Sequence, residues 1–167
     1  MKINRVAIIG LGLIGTSLAL RISLRCPGML IFGVDIDKVT CQAAEKLDCF
    51  NMVVCSISDL PSVIDLVIVA VPIDVTVDMI HAICDHVESE LIISDVASVK
   101  RFITTSVQVT DSRHHFVAAH PMAGTEKQGI NAADPKIFED AAYAIVAPKS
   151  PYRDIFEAFV TDLGCRA

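Results

Sequence analysis

The chain has 167 residues, with fourteen Lys and Arg against twenty Asp and Glu and a formal net charge of −6, so no general attraction to nucleic acid or anionic lipid is available to it. Its hydrophobic fraction of 53% and mean hydropathy of +0.54 exceed what an ordinary soluble domain needs, which fits strands buried on both faces, a surface meant for a partner, or both. The length suits one well-buried domain, residues 1–167, and is short for two.

The first twenty residues imitate a secretory signal, with a basic start followed by the apolar run from Val6 to Leu20. Gly10, Gly12 and Gly15 break that run, no small-x-small cleavage site follows, and it is shorter than the ~20 residues a membrane helix requires. The expectation is a cytoplasmic chain with no membrane or nucleic-acid partner. Strand-length apolar runs then recur at Val6 to Ile9, Leu30 to Val34, Leu66 to Val71, Leu91 to Ser94, Phe116 to Ala119 and Ala142 to Ala147, with a weaker one at Met52 to Val54. Several are continuously apolar, as parallel strands covered on both faces must be. Between them Ile14, Leu18 and Ile22 repeat at helical spacing, as do Val75, Met79 and Ile83, so each set marks a face that can cover a sheet. This βα alternation predicts an α/β fold of Rossmann type: a doubly wound, mostly parallel sheet with helices on both faces and its ligand beyond the carboxyl ends of the strands.

Gly10-Leu11-Gly12-Leu13-Ile14-Gly15 is a GxGxxG run that directly follows the first strand and opens the first helix. In that context Gly10 permits the tight turn, Gly12 admits a pyrophosphate and Gly15 allows close helix–strand packing, while Leu13 and Ile14 begin a helix whose free N–H groups favour an anion. Asp35 ends the second strand twenty residues beyond Gly15, the offset at which a carboxylate accepts hydrogen bonds from the ribose hydroxyls of NAD and repels the 2′-phosphate of NADP. Asp37 adds to that repulsion, and Lys38 is the one nearby cation. Val71 and Pro72 close the fourth main strand, where the backbone either runs beside the cofactor or simply ends the strand.

Two later strand ends carry polar residues out of proportion to their surroundings: Asp95-Val96-Ala97-Ser98-Val99-Lys100 and His120-Pro121-Met122-Ala123-Gly124-Thr125-Glu126. His120 is either a general base on the ligand edge or a structural histidine. Ser98 either orients that imidazole, binds the same substrate hydroxyl, or caps the helix beginning near Val99. Lys100, Arg101 and Lys127 are candidate partners for a substrate carboxylate, although surface cations are usually solvated. His81 and His86 read as surface residues on a helix, and His114 and His115 as solvated loop residues before a strand. Cys26, Cys41, Cys49, Cys55, Cys84 and Cys165 form no CxxC and have no histidine at finger-like spacing, so they read as buried reduced thiols and no metal site is expected.

The glycine run, the Asp95 to Lys100 loop and the His120 to Glu126 loop, in this order and spacing, resemble the prephenate/arogenate dehydrogenase family. The resemblance extends over essentially the whole chain, to Ala144-Ile145-Val146-Ala147-Pro148 and the closing helix. Thr16 stands where similar sequences carry a further glycine, and Ala97 where glycine is common. The resemblance implies an NAD-dependent oxidative decarboxylation of prephenate or arogenate in tyrosine biosynthesis. It further implies that His120 polarises the ring hydroxyl, that Ser98 bonds the histidine or that hydroxyl, and that Thr125 lies near cofactor and substrate. Family members continue into a helical domain that supplies dimer contacts and a carboxylate-binding arginine, a domain expected to be absent from these residues. The rival expectations are another Rossmann dehydrogenase or reductase acting on a small hydroxy acid or imine, and a catalytically silent nucleotide-binding module.

Overall fold

Strands with no polar face have nothing to offer water, and the chain accordingly stacks them side by side through its centre. The computed structural model describes all 167 residues. Its strands are β1 (Arg5–Ile9), β2 (Leu30–Val34), β3 (Met52–Val54), β4 (Leu66–Val69), β5 (Leu91–Asp95), β6 (His114–Pro121) and β7 (Tyr143–Ile145), and its helices are α1 (Leu13–Arg25), α2 (Lys38–Ala44), α3 (Ile73–His86), α4 (Lys100–Ser106) and α5 (Pro151–Asp162). The sheet order is β3-β2-β1-β4-β5-β6-β7, parallel throughout except for β7, which runs antiparallel to β6 with His120 opposite Ala144. The chain doubles back between β1 and β4, and the carboxyl ends of these two neighbours frame the crevice where such sheets bind ligands.

Period-two alternation sends β1 into two cores: Val6 and Ile8 pack with Leu18 and Ile22 of α1 and with Phe156 and Phe159 of α5, while Ala7 and Ile9 pack with Ile80 and Ile83 of α3. Helices therefore cover both faces, and each fully buried Leu or Ile contributes roughly 1.5–3 kcal/mol of transfer free energy. One charge joins the first core: the buried Arg21 guanidinium of α1 donates from Nε to the Leu163 carbonyl at 2.6 Å and from Nη1 to Glu139 at 3.0 Å.

Several expectations shift in detail. The α3 face that meets the sheet is Thr76, Ile80 and Ile83; Val75 is 38% exposed and Thr76 1%, because the Thr76 hydroxyl satisfies itself on the Pro72 carbonyl at 3.0 Å and so tolerates burial. His114 and His115 are not solvated loop residues: β6 begins with them, His114 is buried with Nε2 3.0 Å from the Val87 carbonyl oxygen, and His115 stacks on Tyr152. His86 is half-buried, its Nε2 2.8 Å from the Leu60 carbonyl oxygen. β4 ends at Val69, two residues early, and β6 runs through His120 and Pro121 because pairing with β7 extends it.

Candidate active site

The glycine loop joins β1 to α1 in a backbone conformation that side chains would forbid. Gly10 has φ +93°, and a Cβ there would lie 2.6 Å from the Ala70 carbonyl oxygen; one on Gly15 would lie 1.9 Å from the Gly10 carbonyl oxygen. Both positions need glycine because backbone meets backbone. Gly12 differs, since a Cβ built on it meets nothing within 4 Å. It faces an open cleft of about 540 Å³ lined by Gly12, Leu13 and Ile14 from the first turn of α1, by Val71 and Pro72 after β4, and by Ser98 and Lys127. α1 has no side-chain cap, so its N-terminal N–H groups open onto this space without an internal anion to satisfy them. Thr16 is buried in α1, and its hydroxyl donates to the Leu11 carbonyl at 2.9 Å.

Asp35 is half-buried at the end of β2. Its Oδ2 accepts from the Leu11 N–H at 2.8 Å and its Oδ1 from the Asp37 N–H at 2.9 Å, which fixes the carboxylate against the glycine loop before any ligand arrives. Asp37 also caps α2, accepting from the N–H groups of Val39 and Thr40. The Thr40 hydroxyl and these N–H groups hold its carboxyl below the ordinary value.

On the other side of the cleft, β5 and β6 bring the two later motifs to one edge. Asp95, fully buried at the end of β5, accepts from the Ala97 N–H at 3.1 Å and forms an ion pair with Lys100. The Lys100 side chain is 12% exposed, so it is not the solvated surface cation that sequence suggests and is not free to hold a substrate. Burial pulls its ammonium below the ordinary value, against the opposing pull of Asp95. This pair fixes the turn that carries Val96, and the Val96 carbonyl oxygen lies 2.7 Å from His120 Nδ1. A carbonyl oxygen only accepts, so Nδ1 carries the hydrogen, and in the neutral imidazole the lone pair is on Nε2.

Ser98 is exposed in the same turn, and α4 begins at Lys100 with Val99 at its N-cap and no side-chain cap. The helix-capping reading of Ser98 is therefore wrong, and His120 is oriented by the main chain at Val96. Thr125 is exposed in the loop after β6, its hydroxyl accepting from the Lys127 N–H at 3.2 Å. A Cβ on the neighbouring Gly124 would sit 4.0 Å from Ile14 Cδ1, so this loop reaches across to the first turn of α1. Sequence reasoning missed the Asp95–Lys100 pair. The signal was a carboxylate and an amine five residues apart astride a strand end, a spacing that no helical pattern brings together. No cluster of three or more His, Cys, Asp or Glu side chains has metal-binding geometry, and no helix is long and apolar enough to cross a membrane.

Comparison with known proteins identifies the family and the fold. Residues 18–156 match the family model described as prephenate dehydrogenase, nucleotide-binding domain; the glycine loop lies ahead of the matched span and stands on its own geometry. The chain is 38% identical over 144 residues to the prephenate dehydrogenase of Bacillus subtilis (strain 168), which covers 85% of this chain and 39% of that protein. Among solved structures, Synechocystis arogenate dehydrogenase superposes with a TM-score of 0.83 at 27% identity, over 97% of this chain and 58% of that one. Prephenate dehydrogenase from A. aeolicus, in complex with hydroxyphenyl propionate and NAD+, superposes equally well at 0.83 and 20% identity, over 99% of this chain and 59% of that one, a likeness of fold. The chain thus spans well under two thirds of the length of the proteins it resembles. On the family match and the sequence identity together, this chain belongs to the prephenate dehydrogenase family, as its nucleotide-binding domain.

Proposed function

We propose that the protein carrying this chain catalyses the NAD-dependent oxidative decarboxylation of prephenate or arogenate, with these residues supplying the cofactor site and the base. The observation that carries the proposal is the 2.7 Å contact of His120 Nδ1 with the carbonyl oxygen of Val96, a residue that lines the cleft, which leaves Nε2 of the neutral ring as a proton acceptor; His120 itself does not line the cleft. The residues fit the cofactor: Gly12 leaves room for a pyrophosphate at an uncapped helix terminus, and Asp35 is fixed where an adenosine ribose would lie. The A. aeolicus protein of the same fold was solved with NAD+. When bound, NAD supplies the hydride acceptor.

His120 Nε2 accepts the hydrogen bond of the ring hydroxyl, and the proton shifts toward it as hydride leaves the same carbon. As the bond to the ring carboxylate breaks and CO2 departs, the ring becomes aromatic and the proton returns to the phenolic oxygen, so no net proton is consumed. Ser98 bonds the same hydroxyl from the neighbouring turn, and Thr125 closes the site from the loop after β6. Either substrate carries two carboxylates. Lys100 is committed to Asp95, and we assign the clamp for those carboxylates to residues beyond this chain, with the cytosol as the setting. The test is a steady-state assay of the full-length protein with NAD and each substrate, beside calorimetric NAD binding to residues 1–167 alone. NAD binding by both, with turnover by the full-length protein only, is the expected result; absence of NAD binding would overturn the reading.

A further inference from the structure

Cys41 and Cys55 lie fourteen residues apart, with no motif to pair them, yet their sulfurs are 3.0 Å from each other. Cys41 is buried in α2 and Cys55 is exposed just beyond β3. Neither sulfur is simply packing. Cys41 Sγ donates toward the Asp35 carbonyl oxygen at 3.1 Å, and Asp35 N–H donates to the Val54 carbonyl at 3.3 Å, so the pair sits directly beneath the turn that presents the Asp35 carboxylate. The other four cysteines have no thiol partner of this kind.

We propose that Cys41 and Cys55 are a reversible disulfide site, closed by peroxide, and that closing it weakens cofactor binding at Asp35. The second half rests on the nucleotide reading above; the first does not. The exposed Cys55 thiol attacks the peroxide, its sulfur becoming a sulfenic acid as the O–O bond breaks and one water leaves. The Cys41 sulfur then attacks that sulfur, the S–O bond breaks, and a second water carries away the hydroxyl and the Cys41 proton. Two thiols are thereby oxidised by two electrons, and one peroxide is reduced to two waters. Burial first, and its neighbour Cys55 second, push the Cys41 thiol up to about 11, which assigns the attack on peroxide to Cys55 and makes Cys41 the resolving partner; its low thiolate fraction is offset by the short distance. Bond formation draws the sulfurs together by roughly 1 Å and removes the S–H donor from the Asp35 carbonyl.

The full-length protein is treated with hydrogen peroxide, alkylated and digested with trypsin. The expected product links peptide 39–46, whose only cysteine is Cys41, to the fragment holding Cys55. It disappears on reduction and in Cys55→Ser, and survives in Cys49→Ser. Calorimetry on the reduced and oxidised forms should show NAD affinity falling by about threefold to tenfold on oxidation, the loss expected for one hydrogen bond. The Cys55→Ser protein should show no such change. Persistence of both thiols, or pairing of Cys41 with Cys49 instead, would overturn the site; equal NAD affinity in the two forms would overturn the coupling. Failure of the reduced protein to bind NAD would instead count against the nucleotide reading and leave the disulfide standing.

Discussion

Around the glycine loop backbone meets backbone and one main-chain N–H holds a carboxylate, whereas around His120 every decisive contact begins from a side chain. Gly10 approaches the Ala70 carbonyl, Gly15 approaches the Gly10 carbonyl, and the Leu11 N–H holds Asp35. At the other end of the cleft, the Asp95–Lys100 pair and one imidazole-to-carbonyl contact do the equivalent work, next to the exposed side chains of Ser98, Val99, Phe102, Met122 and Thr125. The nucleotide side is preorganised by chain geometry and constrains residue size; the substrate side is preorganised by charge and leaves its outer surface open. The two sides should therefore fail differently when altered.

The largest expected effect is chemical. In the full-length protein His120→Asn should lower turnover by roughly 10² to 10⁴, the range for losing a general base, while the NAD dissociation constant stays within about twofold. Near-normal turnover would return His120 to a structural role and erase the contrast. Next comes Lys100→Met, which strands the Asp95 carboxylate without a partner in a fully buried position. Urea unfolding should show a loss of about 3–5 kcal/mol; a loss of only a few tenths would mean that charge does not hold this side together.

Two glycines sharpen the comparison from the nucleotide side. Gly15→Ala should cost roughly 2–4 kcal/mol of stability, because its methyl would collide with main chain that cannot yield. Gly12→Ala should leave the unfolding curve almost unchanged yet abolish measurable NAD binding, because its methyl points into ligand space. Equal stability losses in the two variants would refute the division between them. The smallest effect belongs to Asp35→Asn, which keeps its oxygen as the acceptor for the Leu11 N–H, gives up the acceptor for the Asp37 N–H and removes the charge. Its preference for NAD over NADP should relax by about tenfold, as expected for one charge near a phosphate at the surface, and an unchanged ratio would show that Asp35 does not face the ribose.

The backbone-built side was the more legible in sequence. Unbroken apolar runs, a glycine spacing and an acid at a fixed offset are local patterns: each run holds a strand, though β4, β6 and β7 differ in their bounds, and the glycine run joins β1 to α1 with Asp35 at the end of β2. The side-chain-built side was less so, because its partners come from different strands. Lys100 looks solvated until Asp95 is placed beside it, and His114 and His115 look like loop residues until β5 offers them a ladder. Strand direction is not a local property either, so nothing within Tyr143 to Ile145 distinguishes an antiparallel edge from another parallel strand. The α3 face was misplaced by one residue, because a threonine that bonds its own turn counts as apolar and hydropathy cannot register that. Cys41 and Cys55 are neighbours only because α2, which carries Cys41, packs across the paired β2 and β3, with Cys55 just beyond β3.

The Arg21 clamp has a consequence for synthesis. Arg21 belongs to α1, but its guanidinium is satisfied only by Glu139 and the Leu163 carbonyl, which are synthesised far later. The same core takes Phe156 and Phe159 of α5, which packs against β6 and β7. Until those segments are translated, the early strands and α1 present an open apolar face with a cation that has no partner there. Contacts of such long sequence separation close slowly, so the nascent chain passes through a stage at which holdase protection counts for more than intrinsic folding speed.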